Sequence, residues 1–421
     1  MRSIAVPLTA VLLIAACLTA PPARGEPENV PNPAGTGALA PELAESESGA
    51  VLTWLEPDGD GHALRFAEFD GKGFSPPGII ARGRDWFVNW ADTPRLFIAP
   101  DGDWIAHWPV KSGASTYAYD VVAARSSDRG ATWSPPDTPH RDGTRTEHGF
   151  VSYFADPDGT AHLVWLDGRH TGTATGHAGH GAGGPTRDEA EEGAMTLRTA
   201  SMVGAAFGPS VELDERVCDC CQTASASTDA GPIVIYRDRS EYEIRDIHIV
   251  RRTVDGWTEP VPVAVDGWRI AGCPVNGPDV VAHGAQVAAG WFTMAGDVPA
   301  VRLAVSSDSG ATFAPATTFS VGTALGRVQL ARVDDGFLML WMDEAEAGAV
   351  LRLARFGDRG EARWTRTVAE LGAGRSSGFP RMAVVGDRLL LAWTRSEPSA
   401  NGDPTPRIAT ALLDLESAPP G

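Results

Sequence analysis

The chain has 421 residues, with 47 Gly, 32 Pro, 13 Trp and a formal net charge of −19. That acidity excludes nucleic-acid binding, which needs clustered Lys and Arg, and suits a soluble chain that attracts cations. No long amphipathic helical pattern is present, and many short apolar runs with regular turn signals predict an all-β chain.

The chain opens with Arg2 and the apolar stretch Ile4 to Ala16. That run is too short to span a membrane and reads as a signal peptide. It ends Leu13-Ile14-Ala15-Ala16-Cys17, which resembles the lipobox of bacterial lipoproteins. The resemblance implies a leader over 1–17, lipidation at Cys17, and a place in the bacterial cell envelope, facing the periplasm or the surface. The membrane is then touched only through the anchor. An ordinary signal peptide cut nearer Gly25 is the alternative. Residues 18–37 are rich in Pro, Ala and Gly and predict a flexible tether. That leaves 38–421 as one domain, expected to be monomeric.

Within that domain an aromatic residue closes a short apolar run seven times, at Trp54, Trp108, Trp165, Tyr236, Trp291, Trp341 and Trp393. The spacing is about fifty residues with one longer interval, the signature of a repeat architecture. Each unit reads as strands joined by Asp-Gly turns. In the third, Phe150 to Phe154 is a first strand, Asp156-Pro157-Asp158-Gly159 a turn, and Ala161 to Trp165 a second strand. Third strands follow, such as Val121 to Ala124 and Val301 to Val305, and then a second aromatic per unit. Four-stranded units around an axis predict a β-propeller. The count is seven blades, or six plus a remnant, because no fourth strand is evident after Arg407 to Leu415. Closure by residues near Ala38 to Glu45 is the expectation.

Two turns share a pattern: Ser126, Asp128, Gly130, Thr132 and Trp133 in one, and Ser306, Asp308, Gly310, Thr312 and Phe313 in the other. These are Asp-boxes, and the chain resembles the sialidase (BNR-repeat) superfamily. The resemblance implies a sialidase-like propeller and, in an active member, a Tyr nucleophile paired with Glu, an Asp acid/base and three Arg that grip a carboxylate. Arg95, Arg237, Arg239 and Arg381 are candidates for the arginines, and Tyr153 for the nucleophile. The match stops there. All five Tyr lie at or before residue 242, whereas the family nucleophile sits late in the chain, and Thr93-Pro94-Arg95-Leu96 is a poor copy of the family's early Arg motif. The catalytic machinery is therefore expected not to be retained.

A second constellation falls on the propeller face opposite the Asp-boxes. Arg216-Val217-Cys218-Asp219-Cys220-Cys221-Gln222 precedes the first strand of unit four, and Cys273 occupies the same place in unit five. Cys218 and Cys273 each stand 18 residues before their unit's aromatic. Glu147 and His148 match them in unit three, and Trp90, Ala91 and Asp92 in unit two. A Gly-rich insertion with His177 and His180 belongs to the same face. Thiolates with imidazoles compose a metal site for copper or zinc, copper preferred. Exported cysteines usually pair, and these four allow three pairings, so disulfide staples and a metal centre both stand open.

The expected function is an exported propeller lipoprotein that binds a small ligand, glycan or metal ion through Cys218, Cys220, Cys221, Cys273, His148, His177 and His180. An exo-α-sialidase-type glycoside hydrolase and an envelope protein-interaction scaffold are the alternatives.

Overall fold

A computed structural model describes residues 26–172, 193–372, 374–398 and 404–415. The leader with Cys17, and the insertion with His177 and His180, lie outside the described residues. No described helix is long and apolar enough to cross a membrane.

Seven antiparallel sheets follow one another along the chain. Blade one comprises Leu39–Ser46, Gly49–Asp58, Gly61–Phe69 and Gly78–Gly83. Blade two has Arg95–Ile98, Trp104–Lys111 and Tyr119–Ser126, with a single bridge from Ala123 to Asp137 in place of a fourth strand. Blades three to six begin at His148–Ala155, Ala224–Thr228, Asp279–His283 and Ala324–Val333. Blade seven contains Arg381–Val385, Arg388–Pro398 and Pro404–Asp414. The count is seven, with no remnant.

The closing strand differs from expectation. Leu39–Ser46 is blade one's own inner strand, and blade seven is completed instead by Glu28–Asn29, which pairs with Leu412 and Ala411. Asn32 extends the seam by donating to the Ile408 carbonyl at 3.0 Å, and Val30 N–H donates to the Thr410 carbonyl at 2.9 Å. The Pro- and Gly-rich composition read as a tether over 18–37 thus conceals a strand and its turn. Two-residue strands carry too little hydrophobic pattern to be seen in sequence.

The repeat aromatics all sit in second strands, and Trp54, Trp165, Tyr236, Trp291 and Trp341 are fully buried. In four blades the Trp lies directly opposite an Arg of the third strand: Trp54 with Arg65, Trp165 with Arg198, Trp291 with Arg302, and Trp341 with Arg352. A buried indole N–H must be satisfied, and here a carboxylate does it: Glu56, Asp167, Asp266 and Asp343 accept at 2.8 to 3.0 Å. Truncating any of these Trp to Ala would cost about 3–5 kcal/mol.

The two Asp-boxes fold identically. Ser126 Oγ accepts from Gly130 N–H at 2.8 Å while Asp128 accepts from Thr132 N–H and hydroxyl; Ser306, Gly310, Asp308 and Thr312 repeat this. Gly310 is required by its φ of 76° and by a Cβ that would fall 2.9 Å from Ile249 of the preceding blade. The box is a turn staple between blades.

The seam of blade seven predicts a length dependence. A chain beginning at Gly35 loses several backbone and side-chain hydrogen bonds, about 3–5 kcal/mol, and should melt about 5 °C below a chain beginning at Glu26. Equal melting temperatures by calorimetry would mean the seam contributes nothing.

Candidate functional site

The first strand of each blade lines the central channel, and its entry loops carry the polar residues. In the channel Arg381 donates to Glu42 at 2.8 Å, and Arg95 lies 3.4 Å from the same carboxylate. Asp279, half-buried by surface exposure but enclosed among protein atoms, accepts from Leu330 N–H at 2.7 Å; desolvation pushes its pKa up to about 6. Gln222 spans the mouth. Its amide nitrogen donates to the Ala91 carbonyl and its amide oxygen accepts from Gly277 N–H, both at 3.0 Å. Residue 277 must be Gly, because a Cβ there would meet the Gln222 carbonyl at 2.1 Å.

This clamp holds the entry loops of blades four and five together, and with them the cysteines. Cys218 N–H donates to the Arg237 carbonyl at 3.0 Å, which turns the Cys218 side chain inward. The sulfurs of Cys218 and Cys221 lie 3.1 Å apart, and one ligand atom from each of Cys218, Cys220 and Cys221 fits within 4.8 Å of the others. Cys220 also hydrogen-bonds Cys273, so all four thiols form one cluster. The first three are buried and Cys273 is half-buried; none is in a disulfide. Arg245 donates to Cys218 Sγ at 3.3 Å and is itself held by Glu243 at 2.8 Å. Burial opposes the Cys218 thiolate, but hydrogen bonds from Cys220 and Cys221 and the Arg245 charge hold its pKa well below the usual thiol value. Burial pushes Cys220 the other way. Trp90 and Phe379, stacked with centroids 5.9 Å apart, pack against this cluster.

Glu147 and Asp92 converge on Tyr119, whose hydroxyl lies 2.7 Å from Asp92 Oδ2 and 2.9 Å from Glu147 Oε1. One phenol carries one proton, so it satisfies one acceptor while the other carboxyl is favoured as an acid. Burial accordingly pushes the Asp92 pKa up to about 7. Asp92 Oδ1 accepts from Phe150 N–H at 3.0 Å, and Tyr119 stacks on Phe87 with centroids 4.1 Å apart. Tyr119 is fully buried, whereas Tyr117 is half-buried.

A third group sits between blades two and three. His148, fully buried, stacks face to face on His140 with centroids 3.7 Å apart and ring planes 3° from parallel. Asp120 faces one edge of the stack and Asp142 the other, with Asp167 and Arg169 beyond. Burial opposes a charge on His148, but Asp120 and Asp142 outweigh it and push its pKa up to about 9; burial and the neighbouring His148 pull His140 down to about 4.

The sequence candidates divide accordingly. The four cysteines come together as expected. His148 does not join them; it turns to the carboxylates, because Glu147 and His148 are successive residues and strand side chains alternate. The proposed arginines do not form a triad. Arg95 and Arg381 meet at Glu42, but Arg237 is buried against the carbonyls of Asn276, Arg245 and Phe292, and Arg239 is paired with Asp219 and Glu243. Tyr153 hydrogen-bonds His107 at 2.7 Å rather than a Glu, and burial holds its phenol well above its ordinary pKa. Of Tyr117, Tyr119 and Tyr153, the tyrosines open to a Tyr–Glu pair at the channel mouth, Tyr119 is the one that meets Glu147, whereas Gln222, Arg245, His140, Asp120 and Asp142 were not expected as site residues.

No family model and no curated protein matches the chain. Solved structures do. A protein of unknown function from Dyadobacter fermentans is 16% identical, with 80% of this chain and 98% of that one covered and a TM-score of 0.50. The endosialidase of phage phi92 is 9% identical over 94% of this chain and 70% of that one, at 0.50. A polysaccharide lyase of the PL25 ulvan lyase family is 12% identical over 93% and 96%, also at 0.50. The shared feature is the fold: this chain is a sialidase-like, seven-bladed propeller.

The Tyr119 cluster makes a pH prediction. Asp92 holds its proton in the folded state up to about pH 7 but releases it near 3.8 when unfolded, so its contribution to stability falls as pH rises from about 4 to 7. Asp92→Asn cannot ionise. Relative to wild type the variant should gain on the order of a few kcal/mol between pH 4.5 and pH 8. Urea unfolding at both pH values measures this, and an unchanged difference would rule out a proton on Asp92.

Proposed function

We propose that this protein binds a soft metal ion, Cu(I) foremost and Zn(II) second, through the thiolates of Cys218, Cys220, Cys221 and Cys273. The observation that carries the reading is the convergence of four thiols from two neighbouring entry loops into one largely buried cluster. Thiolate donors favour Cu(I) and Zn(II) over Mg(II) or Ca(II). Arg245 supports it by stabilising a thiolate at Cys218 while its own charge is taken up by Glu243. Burial of Cys218, Cys220 and Cys221 limits the access of water and oxygen to a bound Cu(I). In this reading the chain is exported, held at the envelope by a lipid on Cys17, and works as a monomer that captures or carries the ion.

A glycoside hydrolase of the exo-α-sialidase type is the second reading, favoured by the Tyr119–Glu147 pair and by Arg95 and Arg381 over Glu42. Full burial of Tyr119 and the sharing of its proton with Asp92 weigh against it. A scaffold role would draw on exposed Tyr242, Val254 and Val265 on the turns and loops of blade four.

Protein purified anaerobically and reduced should retain close to one Cu(I) per chain, and Cys218→Ser with Cys273→Ser should abolish retention. Elemental analysis reads both. A wild-type protein that retains neither copper nor zinc would overturn the metal reading. Turnover of a chromogenic sialoside is expected at background; turnover that disappears in Tyr119→Phe would put the hydrolase in its place.

A further inference from the structure

The stacked histidines between blades two and three are separate from the thiol cluster in both residues and donor chemistry. Five buried atoms there make no hydrogen bond of good geometry and face chiefly one another across long ion-pair distances: both ring nitrogens of His148, His140 Nε2, Asp120 Oδ1 and Asp142 Oδ2. A buried polar group without a good hydrogen bond loses part of about 1–3 kcal/mol, so five such groups gathered in one place call for an explanation.

The distances supply one. His148 Nδ1 lies 3.5 Å from Asp120 Oδ1, and His140 Nε2 lies 4.0 Å from it. These separations are long for hydrogen bonds. They match the spacing of ligands around a common ion, which is about 3.4 Å for a tetrahedral centre with bonds of about 2.1 Å. All three atoms fall within 4.8 Å of one another.

The two edges of the stack are not equivalent. At the far edge, His148 Nε2 is 3.3 Å and His140 Nδ1 3.6 Å from Asp142 Oδ2, and Arg169 stands 3.5 Å from the same carboxylate. A guanidinium repels a cation, so that edge is not the binding side. It is suited to orientation: one carboxylate facing both rings holds the protons on those two nitrogens, so that a cation arriving on the Asp120 side takes the place of the proton on His148 Nδ1 and meets the His140 Nε2 lone pair.

We propose that His140 Nε2, His148 Nδ1 and Asp120 form a binding site for a borderline divalent cation of the Zn(II), Fe(II) or Mn(II) class, with Asp142 positioning both imidazoles from behind. Two imidazoles and one carboxylate are a donor set for such ions, and the nitrogen ligands select against Ca(II) and Mg(II). Because the rings are parallel, one must tilt to bring both lone pairs onto the ion. Three protein ligands leave further coordination positions, and the Asp120 side chain is 34% exposed, which provides the route in and a place for water or a substrate oxygen.

Co(II) tests this without reference to any activity. Metal-stripped Cys218→Ser/Cys220→Ser protein, checked for its fold by circular dichroism, should bind one Co(II) with visible d–d bands and no sulfur-to-cobalt charge-transfer band. Asp120→Asn and His140→Gln in that background should remove the bands, and Asp142→Asn should weaken binding about 10–100-fold. Should the double Ser variant not fold, wild type with its thiolates filled by Cu(I) should take up the same charge-transfer-free equivalent. Absence of that equivalent, or Co(II) binding indifferent to Asp120→Asn and His140→Gln, overturns the proposal. Failure of the thiolate site would appear separately, as wild type lacking the charge-transfer band.

Discussion

The propeller depends on how the inner edge of each blade is satisfied. A first strand pairs with its second strand on one side only, and its other edge presents backbone N–H groups that are costly to bury alone. Side chains of neighbouring blades or their entry loops take them up. Asp92 accepts from Phe150, Asp279 from Leu330, Asn276 from Arg327, Gln329 from Met382, and Glu45 from Val384. These bonds fix each blade's rotation against the next, and they explain why acids and amides are interspersed along the inner strands and the loops that enter them. The same arrangement draws carboxylates into places where burial raises their pKa, as at Asp92, Asp279 and Glu45.

The entry loops inherit their order from that ring. Gln222 is fixed by the Ala91 carbonyl in blade two's loop and by Gly277 in blade five's, across the width of the channel mouth. Cys218, Cys220 and Cys221 stand immediately before it, and Cys273 four residues before Gly277. A thiol cluster so anchored is preorganised: side chains need little ordering when a ligand arrives, which improves affinity without new contacts. Arg237 reinforces the join, with its guanidinium 4.7 Å from the Trp268 ring and its N–H groups on the carbonyls of blade five.

Much of this was legible in the sequence because the repeat reports position. Equal spacing from Cys218 to Tyr236 and from Cys273 to Trp291 placed the thiols in equivalent loops, and they do meet. The Asp-boxes likewise followed from local turn chemistry. What the repeat does not report is side-chain direction and irregular partners. Glu147 and His148 share one place in the register, yet strand alternation sends them to different clusters. Asp120, His140 and Asp142 come from a strand start and a loop with no counterpart in other blades, so no periodic signal marks them. The closing strand at Glu28–Asn29 escaped because its partner lies nearly four hundred residues away and its composition is that of a linker.

That alternation also bears on how one face can hold two different donor sets. Glu147 lies with Tyr119, and after burial its charge is what most raises the pKa of Tyr117, which also feels Cys273 and Cys220; His148, the next residue, faces Asp120 and Asp142. Sulfur donors are gathered on the blade-four side of this boundary and nitrogen and oxygen donors on the blade-two side. Soft and borderline ions would therefore be sorted by ligand type rather than by affinity, since a thiolate site outcompetes an imidazole–carboxylate site for Cu(I), whereas Mn(II) or Fe(II) favours the oxygen-bearing site. With a net charge of −19 the surface attracts cations of both kinds, so under the proposed reading discrimination would fall to these few buried atoms. Exchanging Glu147 and His148 in the sequence would preserve composition and charge but send each side chain to the wrong set, so under the proposed metal reading the order of these two residues would decide which ion goes where.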